Sequence, residues 1–154
     1  MATTLRPGIT AADFDTRSTG CLPGWFGMKV AEITAGRLVL TMKIEPHMLA
    51  PNGYLHAAAV VALADTSAGY ATIAHLPEGA SSFTTIELKT NFFATQQTGT
   101  LTSIATAIHG GRNTQVWDAE VQGDGGKQLA LFRCTQMVLW PKAEPSIESP
   151  KHGK

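Results

Sequence analysis

The longest apolar stretch of the chain covers residues 56–74, HAAAVVALADTSAGYATIA, and Asp65 is its single acidic residue. Eight of its residues are alanine, the best helix former, so the stretch is predicted to be helical. Pro51 and Gly53 end whatever element comes before it. Because a helix that is apolar on all sides is buried, and small side chains allow close packing, we expect a sheet to wrap this helix closely.

Shorter runs on both sides of this helix alternate between apolar and polar residues, as half-buried strands do. Residues 28–33 and 37–44 are separated by Thr34-Ala35-Gly36 and predict a hairpin. After the helix, turn-rich segments separate four further strand-like runs, at about 83–93, 99–109, 114–122 and 128–140. Thr10 and Asp13 indicate a short N-terminal helix at about 11–18, ended by Gly20 and Pro23-Gly24.

The predicted order is therefore helix, two strands, long buried helix and four strands. Without βαβ alternation, this order favours an α+β fold with a mostly antiparallel sheet and the helix on one face. At 154 residues the chain is long enough for one domain, which we place at residues 24–140. Residues 1–23 form an N-terminal segment with the short helix. The tail, residues 141–154, is rich in proline and charge and is predicted to be disordered.

Composition excludes several classes of function. The net charge of zero lacks the positive charge expected of a nucleic-acid-binding protein. The two cysteines and five histidines have no metal-ligand spacing, so no metal site is expected. The first ten residues contain no apolar signal-peptide region, and Asp65 with the alanine-rich composition argues against a membrane span. We expect a cytoplasmic protein that binds neither membrane nor nucleic acid.

Candidate chemistry is concentrated at the long helix. The chain has no G-x-S-x-G, P-loop, G-x-G-x-x-G or H-E-x-x-H motif. Free N–H groups at a helix N-terminus, here near Ala57, attract negative charge that develops on a carbonyl oxygen, and a carboxylate such as Asp65 can attack the carbonyl or activate water. Two plainer interpretations stay open: Asp65 as a structural acid bonded to a neighbouring hydroxyl or amide, and His56 as a residue whose ring bonds a backbone carbonyl and positions the turn.

The spacing of these two groups has a consequence for assembly. Ala57 and Asp65 are eight residues apart, which is about 12 Å along a helix. A reacting carbonyl needs its oxyanion donor and its nucleophile each within about 3–3.5 Å. If both groups serve one reaction, they must come from different subunits, and the catalytic hypothesis requires a dimer.

A second candidate lies in the turn that contains Gly110-Gly111-Arg112. A strand rather than a helix follows it, so it is a hairpin turn and not a nucleotide fingerprint. Arg112, with Asn113 beside it, could hold a phosphate through its forked donors, or it could be a solvated turn cation.

Read together, these residues resemble a known family. Gly53-Tyr-Leu-His56-Ala57-Ala58, followed nine residues after the histidine by the acid of Leu63-Ala64-Asp65, is similar to the G-x-x-H-G-G and L-A-D/E pattern of hotdog-fold acyl-CoA thioesterases. The group in question includes the PaaI-type and 4-hydroxybenzoyl-CoA thioesterases. Asn91-Phe92-Phe93 and the stretch 112–118 resemble later family segments. The likeness covers about residues 24–140.

The resemblance implies a hotdog fold, in which an antiparallel sheet wraps a long central helix, and a homodimer that pairs into a homotetramer. It implies hydrolysis of acyl- or aryl-CoA thioesters without metal or redox cofactor, CoA arriving as part of the substrate. Asp65 matches the catalytic acid, the N–H of Ala57 the amide that polarises the thioester carbonyl, and His56 the histidine that orients the turn. Thr85 or Thr84 matches a hydroxyl that positions substrate or water. The residues expected to contact substrate or CoA are Asn52, Gly53, Thr84, Arg112 and Asn113.

Three positions depart from the family pattern. His-Ala-Ala replaces His-Gly-Gly, Ala50 stands where an asparagine or glutamine is usual, and no basic residue follows Asn91-Phe92. These departures keep open a non-catalytic acyl-CoA-binding protein as an alternative. A hotdog hydratase or dehydratase is a weaker alternative, because no His/Asp or His/Glu pair has hydratase-like spacing.

Overall fold

The computed structural model describes residues 4–142, which form three α-helices and six strands. The helices are α1 (Ala11–Ser18), α2 (Leu22–Trp25) and α3 (Ala57–Ala74). The strands are β1 (Lys29–Thr34), β2 (Arg37–Lys43), β3 (Ser82–Phe92), β4 (Thr100–Gly110), β5 (Thr114–Gln122) and β6 (Gln128–Leu139). Single 3₁₀ turns lie at Pro46–Met48 and Asp124–Gly126. The predicted tail lies outside the described residues from position 143 onward.

The six strands form one sheet in the order β1-β2-β4-β5-β6-β3, and every pairing is antiparallel. The predicted α+β fold, with an antiparallel sheet and a long central helix, is confirmed. The chain order does not give the sheet order, since β3 pairs with the last strand, β6, instead of with β4. As a result β1 and β3 are the two edge strands.

Helix α3 is the core of the domain, and its side chains explain how closely the sheet wraps it. Ten of its eighteen residues are buried, among them Ala64, Ala68 and Ala71 with no exposed surface. These small side chains leave room for the large sheet residues Trp117 and Phe132, which are also fully buried. By length and composition α3 could cross a membrane, but here the sheet of the same domain covers it.

The segment before β1 differs from the prediction. Helix α1 ends at Ser18 as expected, but Pro23 and Gly24, named among the residues that end it, lie inside an additional short helix, α2. Proline is tolerated in the first turn of a helix because its missing N–H has no intrahelical partner there. Gly24 is required for packing, since a Cβ at this position would lie 2.2 Å from the carbonyl oxygen of Ser18.

Edge strand β3 carries apolar side chains that α3 does not cover. Leu88 and Phe92 pair in register with the buried residues Cys134 and Ala130, so they belong to the inner face of the sheet. They are nevertheless 46% and 48% exposed. Ile86, predicted to share their face, lies in a register shift between Thr85 and Glu87 and is also exposed. This edge has the composition of a surface that a further strand would cover.

Candidate active site

The N-terminus of α3 presents a backbone N–H that has no partner. His56 caps the helix: its Nδ1 accepts the Ala58 N–H at 3.0 Å, and its carbonyl oxygen accepts the Ala59 N–H at 2.9 Å. Among the hydrogen bonds of residues 4–142, none uses the N–H of Ala57, and Ala57 is exposed. The ring therefore positions the turn, but it does so by accepting an amide N–H and not by bonding a carbonyl. One donor is left free at the positive end of the helix dipole.

The loop before α3 is held by short backbone bonds. Ala50 N–H donates to the Tyr54 carbonyl at 2.7 Å, and Gly53 N–H donates to the Ala50 carbonyl at 2.8 Å. Gly53 has φ of +81°, a conformation that favours glycine. The Asn52 side chain accepts the Tyr54 N–H at 3.2 Å. Asn52 and Gly53 are two of the five residues predicted to contact substrate or CoA. In the structure they shape the turn that presents the Ala57 N–H.

Asp65 lies in the middle of α3, eight residues after Ala57. Its Oδ1 is buried and has no hydrogen-bond partner among the described residues. Burial raises the pKa of this carboxyl above its ordinary value, since among residues 4–142 no cation offsets the desolvation. The neighbouring Ser67 hydroxyl donates to the Ala64 carbonyl at 2.8 Å and bonds Ser103 at 2.7 Å, so it does not serve Asp65. A buried acceptor without a partner calls for a functional explanation.

A cavity of about 200 Å³ opens beside Asp65. Helix α3 supplies one wall, edge strand β3 a second and α2 a third. The lining residues are Pro23, Asp65, Thr66, Gly69, Tyr70, Ile73, Phe83 and Thr85. Thr85, predicted as a positioning hydroxyl, is thus in the same cavity as the candidate acid. Thr84 pairs with the exposed Met137 and lies on the opposite face of β3.

Helix α1 fixes one wall of this cavity. The ring of Tyr70 stacks on the fully buried Phe14 with centroids 4.6 Å apart, and its hydroxyl bonds the Ser18 hydroxyl at 2.7 Å. Sequence reasoning missed these wall residues. Spacing could have revealed Gly69 and Ile73, which follow Asp65 by four and eight residues on one helix face. No local signal marks Pro23 or Phe83, because long-range packing brings them to the cavity.

Arg112 and Asn113 lie at the other end of α3, away from Asp65. The guanidinium of Arg112 sits 4.6 Å from the ring centroid of Trp140. Arg112 also lines a larger cavity of about 810 Å³ together with His75, the C-terminal cap of α3. Asn113 accepts the Val138 N–H with its backbone carbonyl at 2.9 Å. Within residues 4–142, no group of three His, Cys, Asp or Glu side chains could hold a metal ion.

Within one protomer, the two candidate reactive groups stay apart. Ala57 and Asp65 belong to the same unbroken helix, which holds them about 12 Å apart along its axis. One reacting carbonyl cannot contact both groups of the same chain.

Comparison with known proteins identifies the family. The sequence profile of the thioesterase superfamily matches residues 52–130. The 1,4-dihydroxy-2-naphthoyl-CoA hydrolase of Listeria monocytogenes is 30% identical over 73% of this chain and 90% of its own length. The acyl-coenzyme A thioesterase PaaI of Escherichia coli is 32% identical over 70% of this chain and 74% of its own length.

Solved structures agree. A variant of thioesterase PA1618 from Pseudomonas aeruginosa superposes with a TM-score of 0.83 at 26% identity, covering 88% of this chain and 97% of that one. The profile includes both the turn at His56 and the acid at Asp65, and the structural match includes the sheet around α3. The chain therefore belongs to the thioesterase superfamily, and it is a thioester hydrolase with the hotdog fold.

Proposed function

We propose that the protein hydrolyses acyl- or aryl-CoA thioesters to the free acid and CoA, with Asp65 as the reacting carboxylate. The observation that carries this proposal is the buried, unpartnered Oδ1 of Asp65 at the wall of a cavity. Desolvation, which raises the pKa of this carboxyl, also makes its ionised form a stronger base and nucleophile. The names of the relatives support a CoA thioester as substrate.

In the proposed reaction the thioester carbonyl oxygen accepts the free N–H of Ala57. Asp65 either attacks the carbonyl carbon or takes a proton from a water that attacks it. The negative charge that develops on the carbonyl oxygen is stabilised by the amide and by the N-terminal end of α3. Collapse of the tetrahedral intermediate breaks the carbon–sulfur bond and releases CoA as thiolate. In the water route this step gives the free acid, and the proton held by Asp65 passes to the thiolate. In the nucleophilic route the acyl group stays on Asp65 as a mixed anhydride, and a water then hydrolyses it to the free acid and restores the carboxylate. His56 acts as a positioning residue, since its ring occupies the Ala58 N–H and leaves the Ala57 N–H to the substrate.

The remaining polar residues are proposed to bind the substrate. Thr85 lies in the Asp65 cavity and could orient the thioester or the water. Arg112 and Asn113 are proposed to meet the phosphates of CoA, whose long pantetheine arm separates them from the thiol. Asn52 and Gly53 shape the turn, and Thr84 has the weakest support because its side chain is on the outer face of β3. No metal or redox cofactor has a role in this proposal.

The first experiment follows CoA release from phenylacetyl, hydroxybenzoyl, short-chain and medium-chain thioesters. It compares the wild type with Asp65→Asn, which keeps the shape of the side chain and removes its charge. Asp15→Asn is the matched control, because Asp15 pairs with Lys29 on the surface of α1 and is 45% exposed. Cys21 is exposed and reacts with thiol reagents, so only release beyond one equivalent counts as turnover.

We expect Asp65→Asn to lose about a hundredfold or more in kcat/KM while Asp15→Asn keeps wild-type activity. Equal turnover in Asp65→Asn and wild type would contradict the assigned role of Asp65. If no thioester is hydrolysed but one raises the melting temperature, the chain is an acyl-CoA-binding protein and the proposed reaction is wrong.

The proposed site also requires a dimer, in which Ala57 of one protomer meets Asp65 of its partner. Edge strand β3 supports this: it is eleven residues long, exposes Ile86, Leu88 and Phe92, and supplies Thr85 to the Asp65 cavity. Pairing of two such edges would cover these apolar side chains and carry a second α3 to the cavity.

Subunit mixing tests the shared site. Ala57→Pro removes the N–H at the first position of α3, where proline suits the helix, and His56 already has the extended conformation that a following proline requires. Ala57→Gly, which keeps the N–H, is its control. Ala57→Pro and Asp65→Asn are each expected to be inactive alone.

Unfolding and refolding an equal mixture of the two variants should restore activity. In each mixed dimer one of the two sites has both an intact Ala57 and an intact Asp65, so random pairing gives roughly a quarter of the wild-type rate. A mixture that stays inactive, although it forms mixed dimers, would contradict a site shared between subunits.

We further propose that two dimers form a tetramer, with a cytoplasmic location. Leu131 and Met137 project from the outer face of β6 and are 38% and 42% exposed, which supports a second apolar interface. Two free cysteines fit a reducing compartment. Sedimentation analysis of Met137→Glu should give dimers where the wild type gives tetramers, and a wild type that sediments as a dimer would contradict the tetramer.

A further inference from the structure

The cavity beside Asp65 extends along the axis of α3, because the helix residues that line it lie on one face. Asp65, Gly69 and Ile73 follow one another at intervals of four residues, so they lie in a row along one face. If the acyl group of a thioester at Asp65 enters this cavity, it lies over Gly69 or close to it.

Gly69 and Phe83 approach each other closely across this cavity. A Cβ added at Gly69 would lie 3.3 Å from Cζ and 3.9 Å from Cε2 of the Phe83 ring. The ring end therefore reaches nearly to the helix backbone, and the absence of a side chain at position 69 leaves the space that the ring borders.

The Phe83 ring is held from behind. It packs against the satellite cluster of Leu76, Ala80 and Val138, with Trp140 alongside. The opposite wall is fixed as well, since Tyr70 is held by its stack on Phe14 and its hydroxyl bond to Ser18. The width of the cavity is thus set by side chains that have little freedom to move.

The volume of the cavity limits what it can accept. Dry apolar cavities of about 150 Å³ take up one benzene ring, and this cavity measures about 200 Å³. Apart from Asp65, its lining carries no charge. A compact apolar acyl group of about one ring suits such a space.

We infer that Phe83, closing against Gly69, is the specificity-determining side chain that limits the acyl group to about one aromatic ring. This inference rests on the proposed function, since it assumes that the acyl group of a CoA thioester enters the Asp65 cavity. The inferred size limit would distinguish the acyl preference of this chain from that of its Listeria relative, whose named substrate carries two fused rings.

The test compares kcat/KM for benzoyl-CoA and 2-naphthoyl-CoA in four proteins besides the wild type. Phe83→Ala removes the ring, and Gly69→Ala narrows the space between helix and ring. The double variant combines both changes, and Phe93→Ala is the control, because Phe93 is exposed and does not line the cavity. Gly69→Ala keeps the measurement possible if Phe83→Ala folds poorly, since alanine favours a helix interior.

We expect the wild type to prefer the single ring by roughly tenfold or more, and Phe83→Ala to remove that preference. Gly69→Ala should lower kcat/KM for benzoyl-CoA, and the double variant should recover it, as expected of two residues in contact. Phe93→Ala should keep the wild-type ratio. A wild type that hydrolyses both thioesters equally, or a Phe83→Ala protein with an unchanged ratio, would overturn the inference.

Binding of the same two thioesters to Asp65→Asn, measured by calorimetry, provides a readout that does not need turnover. If the wild type hydrolyses nothing while Asp65→Asn still binds only the single-ring thioester, the proposed reaction fails and the size limit stands. If the wild type hydrolyses thioesters but Asp65→Asn binds both equally tightly, the size limit fails and the proposed reaction stands.

Discussion

Two titratable side chains of α3 and its C-terminal cap, Asp65 and His75, differ in how their polar atoms are bonded. The ring of His75 is bonded at both nitrogens: Nδ1 donates to the Ala71 carbonyl at 2.7 Å, and Nε2 accepts the Gly36 N–H at 2.9 Å. Asp65, ten residues earlier, has a buried oxygen with no partner among the described residues. Burial lowers the pKa of His75 and raises the pKa of Asp65, so in both cases it disfavours the charged form.

The difference separates a structural group from the group that is proposed to react. His75 ties the end of α3 to the β1–β2 turn, and the ring is fully used in doing so. Asp65 has no such structural bond at its buried Oδ1 among the described residues, and the residue lines a cavity. A perturbed pKa alone does not distinguish the two residues, whereas the count of hydrogen-bond partners does.

Among the variants that test this contrast, His75→Ala is expected to change the free energy of unfolding most. The substitution leaves the Gly36 N–H and the Ala71 carbonyl without their partner and removes a ring packed 5.1 Å from Trp117. We expect a loss of about 3 kcal/mol in the free energy of unfolding, measured by urea denaturation, with kcat/KM nearly unchanged. The exposed His109→Ala should change stability by less than about 0.5 kcal/mol. A His75→Ala protein as stable as the control would show that the ring is not a structural tie.

Asp65→Asn is expected to change the free energy of unfolding by a smaller amount and to raise it. Because the pKa of Asp65 is raised in the folded state, the folded protein holds this proton more tightly than the unfolded chain does. Stability contributed by the protonated form is present at low pH and is lost as pH rises through the folded pKa. At neutral pH the asparagine variant should therefore be more stable by about 1 kcal/mol.

Thermal melts of both proteins at several pH values check this prediction. The stability gain should shrink toward zero as pH falls below the ordinary aspartate pKa of 3.8. Asp118→Asn provides the contrast, since Asp118 accepts two bonds from Arg133 and its loss should destabilise the protein. An Asp65→Asn protein that melts below wild type at pH 7 would mean that the carboxylate is satisfied after all.

The smallest effect is the pH dependence contributed by His75. Since its folded pKa lies below the ordinary value of 6.5, the unfolded chain takes up a proton first as pH falls. Stability should thus decrease as pH drops below about 6.5, and above that value His75 contributes no slope. Unfolding of wild type and His75→Gln, compared between pH 5 and 8, isolates this contribution. An identical pH profile in the two proteins would contradict it.

The same helix shows what a sequence can predict. The alanine run and the preceding Pro51 and Gly53 predict α3 almost to the residue, because helix propensity and turn chemistry are local properties. The alternating runs predict six strands for the same reason. The position of β3 beside β6 depends on long-range pairing, which no local pattern encodes.

In the candidate site, too, some features follow from local sequence and others only from tertiary packing. Asp65 stands out as an acid in an apolar run, and the resemblance to a family assigned it a role together with Ala57 and His56. Free N–H groups near Ala57 were predicted from the helix N-terminus, but the capping of Ala58 by the His56 ring, which leaves the Ala57 N–H free, is visible only in the structure. The place of Phe83 in the cavity has no local signal, because its approach to Gly69 is set by tertiary packing.

The two faces of α3 also divide what this protein can change from what it must keep. The inner face is built of residues such as Ala64, Ala68 and Ala71, and any larger side chain there would push against the sheet. The cavity face carries Gly69 and Ile73, whose neighbours belong to other elements and border open space. On the proposed function, substitutions on that face are the ones expected to alter the acyl group accepted while the fold is left intact. One helix thus provides a tightly packed scaffold and, a third of a turn away, a surface that can vary without disturbing it.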